Sequence, residues 1–211
     1  MPRKAHTTEK VESIKTNILE TAADMILNQG YDNFSMRKLA KKLGMTAANI
    51  YNYFQNKDEI YLAIQKMGFE LIYQEFENVY YKDIDENDKL RELAQRYINF
   101  GLNNPNYYDI VFNLNTPKYT DYIGSEIEPL ALSEKNAGLK VLNLAVKVLR
   151  ELAESRGWND LDPDFRALQL WTSLHGIVSL LNSRVFQEAT NNPDKILQEL
   201  LEDLFNFVLP E

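Results

Sequence analysis

A chain of 211 residues with 45% hydrophobic and 26% charged residues has the composition of an ordinary globular protein of one or two domains, long enough to bury a substantial core. The absence of cysteine excludes disulfides and thiolate catalysis and removes most zinc-site designs. The net charge of −8 is unevenly spread: residues 1–60 carry nine Lys/Arg against seven Asp/Glu and residues 61–211 fourteen against twenty-four, which fits a small, mildly basic head on an acidic body that nucleic acid avoids. No apolar run is long enough to span a membrane, and MPRKAHTTEK has no apolar core of a signal peptide. A cytoplasmic protein with no membrane partner is the expectation.

Helical periodicity runs through nearly every segment, and no strand-like alternation is present. The first helix is expected from about Thr8 to Gln29, with Ile14, Ile18, Leu19, Ala22 and Ile26 on one face. Gly30 ends it, and Phe34 plugs a three-helix core. Ser35 is placed to cap a second helix and Thr46 a third. Met36 to Lys57 reads as a helix-turn-helix. Leu39, Leu43, Met45, Ile50 and Phe54 are its packing positions, Ala40 is small where helices cross, and Gly44 supplies the sharp turn. Arg37, Lys38, Lys41, Lys42, Asn49, Tyr51, Asn52, Tyr53 and Lys57 are left outside, as a DNA-reading helix pair requires.

A longer helix is expected from Lys57 to about Tyr81, broken by the acidic DIDEND segment, then one near Lys89–Leu102 and a short one from Pro105. Thr116–Gly124 reads as irregular. A long helix from about Ser125 to Arg156 carries Val141, Leu142, Ala145, Val148, Leu149 and Leu152 as its stripe, and Pro163 and Pro193 open two final helices. The expectation is an all-α chain of about nine helices, with a DNA-binding domain over residues 1–56 and a larger helical ligand-binding and dimerisation domain over 57–211.

The run Gly30-Tyr31, Phe34 to Ala40, Leu43-Gly44-Met45, Ile50 to Phe54 and Lys57 to Ile60 resembles the TetR family of bacterial transcriptional regulators. The specific match covers about the first 60 residues. In the body, Trp171, His175 and Gly176 form a W-x3-H-G pattern similar to that of one subgroup of the family's C-terminal domains. The resemblance implies a repressor of a palindromic operator, released when a small, largely apolar ligand binds the body and shifts the helix from Lys57 onward. A transcriptional activator, or a helical dimer answering to a protein partner, is the alternative.

Base edges carry the sequence information and phosphate contacts fix the register. Ala47 and Ala48 present methyls suited to thymine methyl groups, and the amides of Asn49 and Asn52 suit adenine. Arg37 matches a family position that reaches guanine. Phosphate contacts fall to Ser35, Thr46, Tyr51, Tyr53 and Lys57, the last at the positive end of a helix. Tyr51 and Tyr53 also suit half-buried packing, and Lys41 and Lys42 a solvated face.

One recognition helix gives modest affinity, so double-stranded DNA with an inverted repeat is read by a homodimer whose half-sites lie about 34–36 Å apart. The last two helices are its expected interface, as a four-helix bundle through Trp171, Val178, Val185, Leu197, Leu201, Leu204, Phe205 and Val208. Ordinary core helices are the alternative. Residues 61–150 are rich in aromatics, and the resemblance assigns such residues to a ligand pocket. The candidates are Tyr73, Tyr97, Phe100, Tyr108 and Phe112 with Trp171 and His175, core packing being the alternative for each. Gly176, unfavourable inside a helix, points to a close helix approach in the same subunit or a second one. The two histidines, His6 and His175, and the scattered carboxylates form no catalytic or metal-binding constellation, so no enzyme, cofactor or metal is expected.

Overall fold

The computed structural model describes residues 8–209; the basic residues 1–7, with His6, lie outside them. Among the described residues there are ten α-helices and no strand: α1 Thr8–Gln29, α2 Met36–Lys42, α3 Ala47–Tyr51, α4 Lys57–Tyr80, α5 Glu86–Asn103, α6 Pro105–Tyr108, α7 Glu128–Arg156, α8 Pro163–Asn182, α9 Val185–Ala189 and α10 Pro193–Val208. The chain divides into two compact units. One runs to Gly68 and includes Asn106–Asn136, and the other takes Phe69–Pro105 and everything from Ala137 onward.

In the first unit, α1 turns Ile18, Ala22 and Ile26 inward, where they meet Leu39 of α2 and Ile50 of α3. Phe34, Phe54, Ile60 and Ile64 belong to the same cluster. Gly30, at φ +79°, stops α1 in a left-handed conformation that Cβ-bearing residues avoid. After α6 the chain forms a π-helical turn, Asp109–Asn113, which packs on α1 and adds Ile110 to the same core. The turn approaches α4 closely. A Cβ at Gly68 would lie 2.7 Å from Val111 Cγ2, so only glycine fits without displacement.

Thr116–Gly124 is more ordered than its composition suggests. It contains a 3₁₀ turn, Tyr119–Tyr122, in which the Asp121 carboxylate accepts from the Lys118 amide at 2.7 Å. Thr116 and Tyr122 are buried. Tyr61, fully buried on α4, donates its hydroxyl to the Ile110 carbonyl at 2.8 Å and accepts from the Thr116 hydroxyl at 2.7 Å. These bonds tie the segment to the core of the first unit, so it is ordered where an irregular stretch was expected.

In the second unit α8 packs against α5, α9 and α10. Asp162 caps α8 by accepting from the Asp164 and Phe165 amides at 3.1 Å each, with Pro163 at the first helical position. The buried stripe of α8 is Ala167, Leu170, Leu174 and Val178, against Leu93, Tyr97 and Phe100 among the buried residues of α5. Two helix starts differ from the expected ones. Asp85, inside DIDEND, caps α5 by accepting from the Asn87 amide at 2.9 Å, so the acidic segment starts this helix as well as ending α4. The long helix opens at Glu128, after a turn from Ser125. Helix α9, unexpected from the sequence, follows Arg184, whose φ of 61° redirects the chain after α8.

Candidate nucleic-acid interface

Two side-chain caps define the reading head. Ser35 Oγ accepts from the Lys38 amide at 3.3 Å and starts α2, and Thr46 Oγ1 accepts from the Asn49 amide at 3.2 Å and starts α3. Between them Gly44 takes φ +64°, and the Met45 amide returns to the Ala40 carbonyl at 2.9 Å. The turn thus folds α3 against α2 while Leu39 and Ile50 are fully buried. Arg37, Lys38, Lys41, Lys42, Thr46, Ala48, Tyr51 and Asn52 remain exposed, Tyr51 at 52%. Ser35, Asn49 and Lys57 are half-buried, while Ala47 and Tyr53 lean on the core. The Lys38 ammonium donates to the Asn33 carbonyl at 2.7 Å, which gives that lysine a structural task.

Asn56 caps α4. Its Oδ1 accepts from the Glu59 amide at 2.8 Å, and the Glu59 carboxylate accepts in return from the Gln55 amide. The spacing of Asn56 and Glu59 was the available sequence signal for this cap. Lys57, the first helical residue, lies over the face of Tyr31 with Nζ 4.2 Å from the ring centroid, and Tyr31 donates its hydroxyl to Asp58. Tyr31 also meets Tyr61 edge-on at 4.8 Å. In the sequence Tyr31 carries no local signal of these contacts, since its partners lie 26 to 30 residues away.

Burial holds the hydroxyls of this region protonated. Tyr61 is pushed up to about 12 by desolvation, and so is Tyr122. Tyr31 is raised by burial, then by its bond to the Asp58 carboxylate. The unfolded chain ionises these tyrosines near 10, so the stability they contribute is full below pH 10 and is lost as pH rises through about 12. The urea midpoint is therefore expected to fall between pH 10 and 12, and to fall less in Tyr61→Phe. A wild-type midpoint flat over that interval contradicts this.

The expected ligand residues separate into two groups. Tyr73, Tyr97, Phe100, Trp171 and His175 belong to the second unit, Tyr108 and Phe112 to the first. Trp171 Nε1 donates to the buried Tyr97 hydroxyl at 3.0 Å, while Tyr73 donates within α4 to Glu77 at 3.1 Å. Phe100 is buried on α5. The Tyr108 and Phe112 rings lie 5.0 Å apart. Burial pushes the His175 imidazole below its usual value and favours its neutral form. The first unit also carries an open groove of about 470 Å³ in which the carboxylates of Asp58, Asp121 and Glu126 share the wall with Pro117, Tyr122 and Ile127.

Of the expected interface residues, Val178, Phe205 and Val208 are buried within the chain and so offer no area to a second copy. Val178 falls in line with Leu170 and Leu174 on the inner stripe of α8. Leu197, Leu201 and Leu204 are half-buried, and Trp171 and Val185 are exposed. Further apolar side chains of these two helices lie in solvent, Phe165, Leu168 and Leu180 on α8 and Leu200 and Phe207 on α10, Phe207 at 69%. Among the described residues nothing lies within 4 Å of where a Cβ on Gly176 would stand, so none of them makes the close approach expected there.

Two family models match this arrangement. Residues 18–64 fit the one described as "Bacterial regulatory proteins, tetR family", and residues 90–204 fit "Tetracyclin repressor-like, C-terminal domain". The chain belongs to the TetR family. TetR-family proteins are DNA-binding transcriptional regulators and not enzymes. A curated relative, the fatty acid metabolism regulator protein of Bacillus subtilis, is 36% identical over 53 residues, a match that spans 24% of this chain and 27% of the relative. The fold is shared with the fatty acid degradation regulator FadR from Bacillus halodurans, at TM-score 0.68 and 19% identity over 95% of this chain and 96% of that one. FadR from Bacillus subtilis in complex with stearoyl-CoA gives 0.69 and 18% over 90% and 97%. A tetR-family regulatory protein from Rhodococcus RHA1 gives 0.71 and 16% over 92% and 96%. No helix among the described residues is long and apolar enough to cross a membrane.

Proposed function

We propose that this TetR-family protein is a repressor that binds an inverted-repeat operator as a homodimer and leaves it when a small, largely apolar ligand occupies the body. DNA reading is assigned to residues 1–56, and ligand binding and dimerisation to residues 57–211. The observation that carries the reading is the capped α2–α3 pair, whose inner side is buried while Arg37, Ala48, Tyr51 and Asn52 face solvent. Arg37, Ala47, Ala48, Asn49 and Asn52 read base edges, and Ser35, Thr46, Tyr51, Tyr53 and Lys57 hold phosphates. Dimerisation is supported by the exposed apolar side chains of α8 and α10 and by the open space at Gly176, where a partner helix can approach closely.

The ligand acts only through its different affinities for the DNA-competent and released states. A long acyl chain is the first candidate, because the Bacillus subtilis FadR structure holds stearoyl-CoA and the curated relative is a fatty acid metabolism regulator. The test is titration of a protein–operator complex with stearoyl-CoA and, separately, stearate. Release of the DNA at saturating ligand is expected, and a complex that survives both contradicts the acyl class.

The contact map makes a separate prediction. Lys57→Ala should weaken binding to every DNA sequence and lower the slope of log affinity against log salt by about 1. Arg37→Ala should relax selectivity at one base pair and leave the others unchanged. Unaltered selection profiles and salt slopes in both variants overturn the map.

A further inference from the structure

We infer that Tyr31 is a positioning residue for the DNA contact made by Lys57, an inference that rests on the reading of Lys57 as a phosphate ligand. Tyr31 sits one residue after the glycine that ends α1, held in place by a turn in which the Phe34 amide donates to its carbonyl at 3.2 Å. From there it touches both of the first two residues of α4. Its ring lies under the Lys57 ammonium at 4.2 Å, and its hydroxyl donates to the Asp58 carboxylate.

The two contacts serve one end. A lysine stem is flexible, and ordering it on phosphate costs conformational entropy. An aromatic face settles the stem in advance and leaves the ammonium its full charge, whereas a carboxylate partner would neutralise it. Two carboxylates of the first turn of α4, Asp58 and Glu59, are close enough in sequence to do that and to repel a phosphate there; Glu59 accepts from the Gln55 amide. The Tyr31 hydroxyl binds Asp58.

Tyr31 is in turn braced from behind. The Tyr61 ring packs edge-on against it at 4.8 Å, and the Tyr61 hydroxyl is bonded to the Ile110 carbonyl and the Thr116 hydroxyl. All of these residues belong to the first compact unit. The segment carrying Ile110 and Thr116 therefore sets where Tyr31 stands, and through it where Lys57 points. A ligand that moved this segment would reach the phosphate contact without unfolding the head.

The test is a double-mutant cycle between Tyr31→Leu and Lys57→Ala, with binding to a mixed-sequence duplex read at several salt concentrations. No operator is needed, because a phosphate contact is blind to sequence. Tyr31→Leu is expected to weaken binding about threefold to tenfold and to lower the salt slope, and to have no further effect once Lys57 is Ala. Tyr31→Phe keeps the ring and frees only Asp58, so it should fall between wild type and Tyr31→Leu. Should the leucine variant not fold, by circular dichroism, the phenylalanine variant carries the cycle. Additive losses with an unchanged salt slope for Tyr31 would overturn the positioning role and leave the phosphate contact standing. If Lys57→Ala itself leaves affinity and slope unchanged, the underlying reading fails, and the positioning role with it.

Discussion

Leu168→Glu combined with Leu200→Glu is expected to produce a folded monomer whose operator affinity is lower by about 10²- to 10⁴-fold. Both side chains are exposed in the single chain, at 43% each, so removing them opens no cavity. Surface changes of this kind usually shift stability by no more than about 0.5 kcal/mol. In the proposed dimer the same positions face their symmetry mates across the two-fold axis. Each charge then appears twice, unpaired and desolvated, against the partner's apolar surface. Dissociation uncouples the two heads, and what is lost is the effective concentration that makes the second half-site an intramolecular event. Sedimentation equilibrium and operator titration measure the two consequences together. A variant that remains dimeric with wild-type affinity places the interface elsewhere.

Ile50→Ala is expected to destabilise the head by about 3 kcal/mol, within the range of about 2–5 kcal/mol for such truncations in a packed core. Ile50 is the fully buried residue of α3 and joins that helix to the cluster formed by Ile18, Ile26 and Leu39, with Ala47 packed at its edge. Helix α3 is only five residues long, too short to persist alone, so the recognition surface depends on this anchor. Thr46→Ala, which removes the cap bond to the Asn49 amide, should cost about 1 kcal/mol. Tyr51→Ala should change stability by less than about 0.5 kcal/mol while weakening DNA binding, because the side chain is half in solvent. Urea denaturation beside DNA titration separates the three. Equal stability of the Ile50 and Tyr51 variants contradicts this division between packing and contact.

The head was the most legible part of the chain because its signals are local. Ser35, Thr46, Gly30 and Gly44 each mark a cap or a turn within a few residues of where it acts, and the structure uses all four that way. In the body, periodicity announced the helices and not their orientation. Helix α8 is apolar on two sides, so the sequence could not distinguish the inner stripe of Ala167, Leu170, Leu174 and Val178 from the outer Leu168 and Trp171. Packing against α5 decides it, and takes Val178 out of the expected interface. The π-helical turn at Asp109–Asn113 and the left-handed Arg184 before α9 have no composition signal, since neither a glycine nor a proline marks them. The contacts of Tyr31 are not local either. Its partners Lys57, Asp58 and Tyr61 lie 26 to 30 residues along the chain, and only the fold brings them to it.

The central claim, that the α2–α3 face reads DNA for a two-fold dimer, is tested most directly by letting the purified protein select fragments from genomic DNA at near-physiological salt and sequencing what it retains. Enrichment of an inverted repeat whose half-sites lie about one helical turn apart, or a multiple of it, is the predicted result. Retention without sequence preference, lost as salt rises, would contradict it.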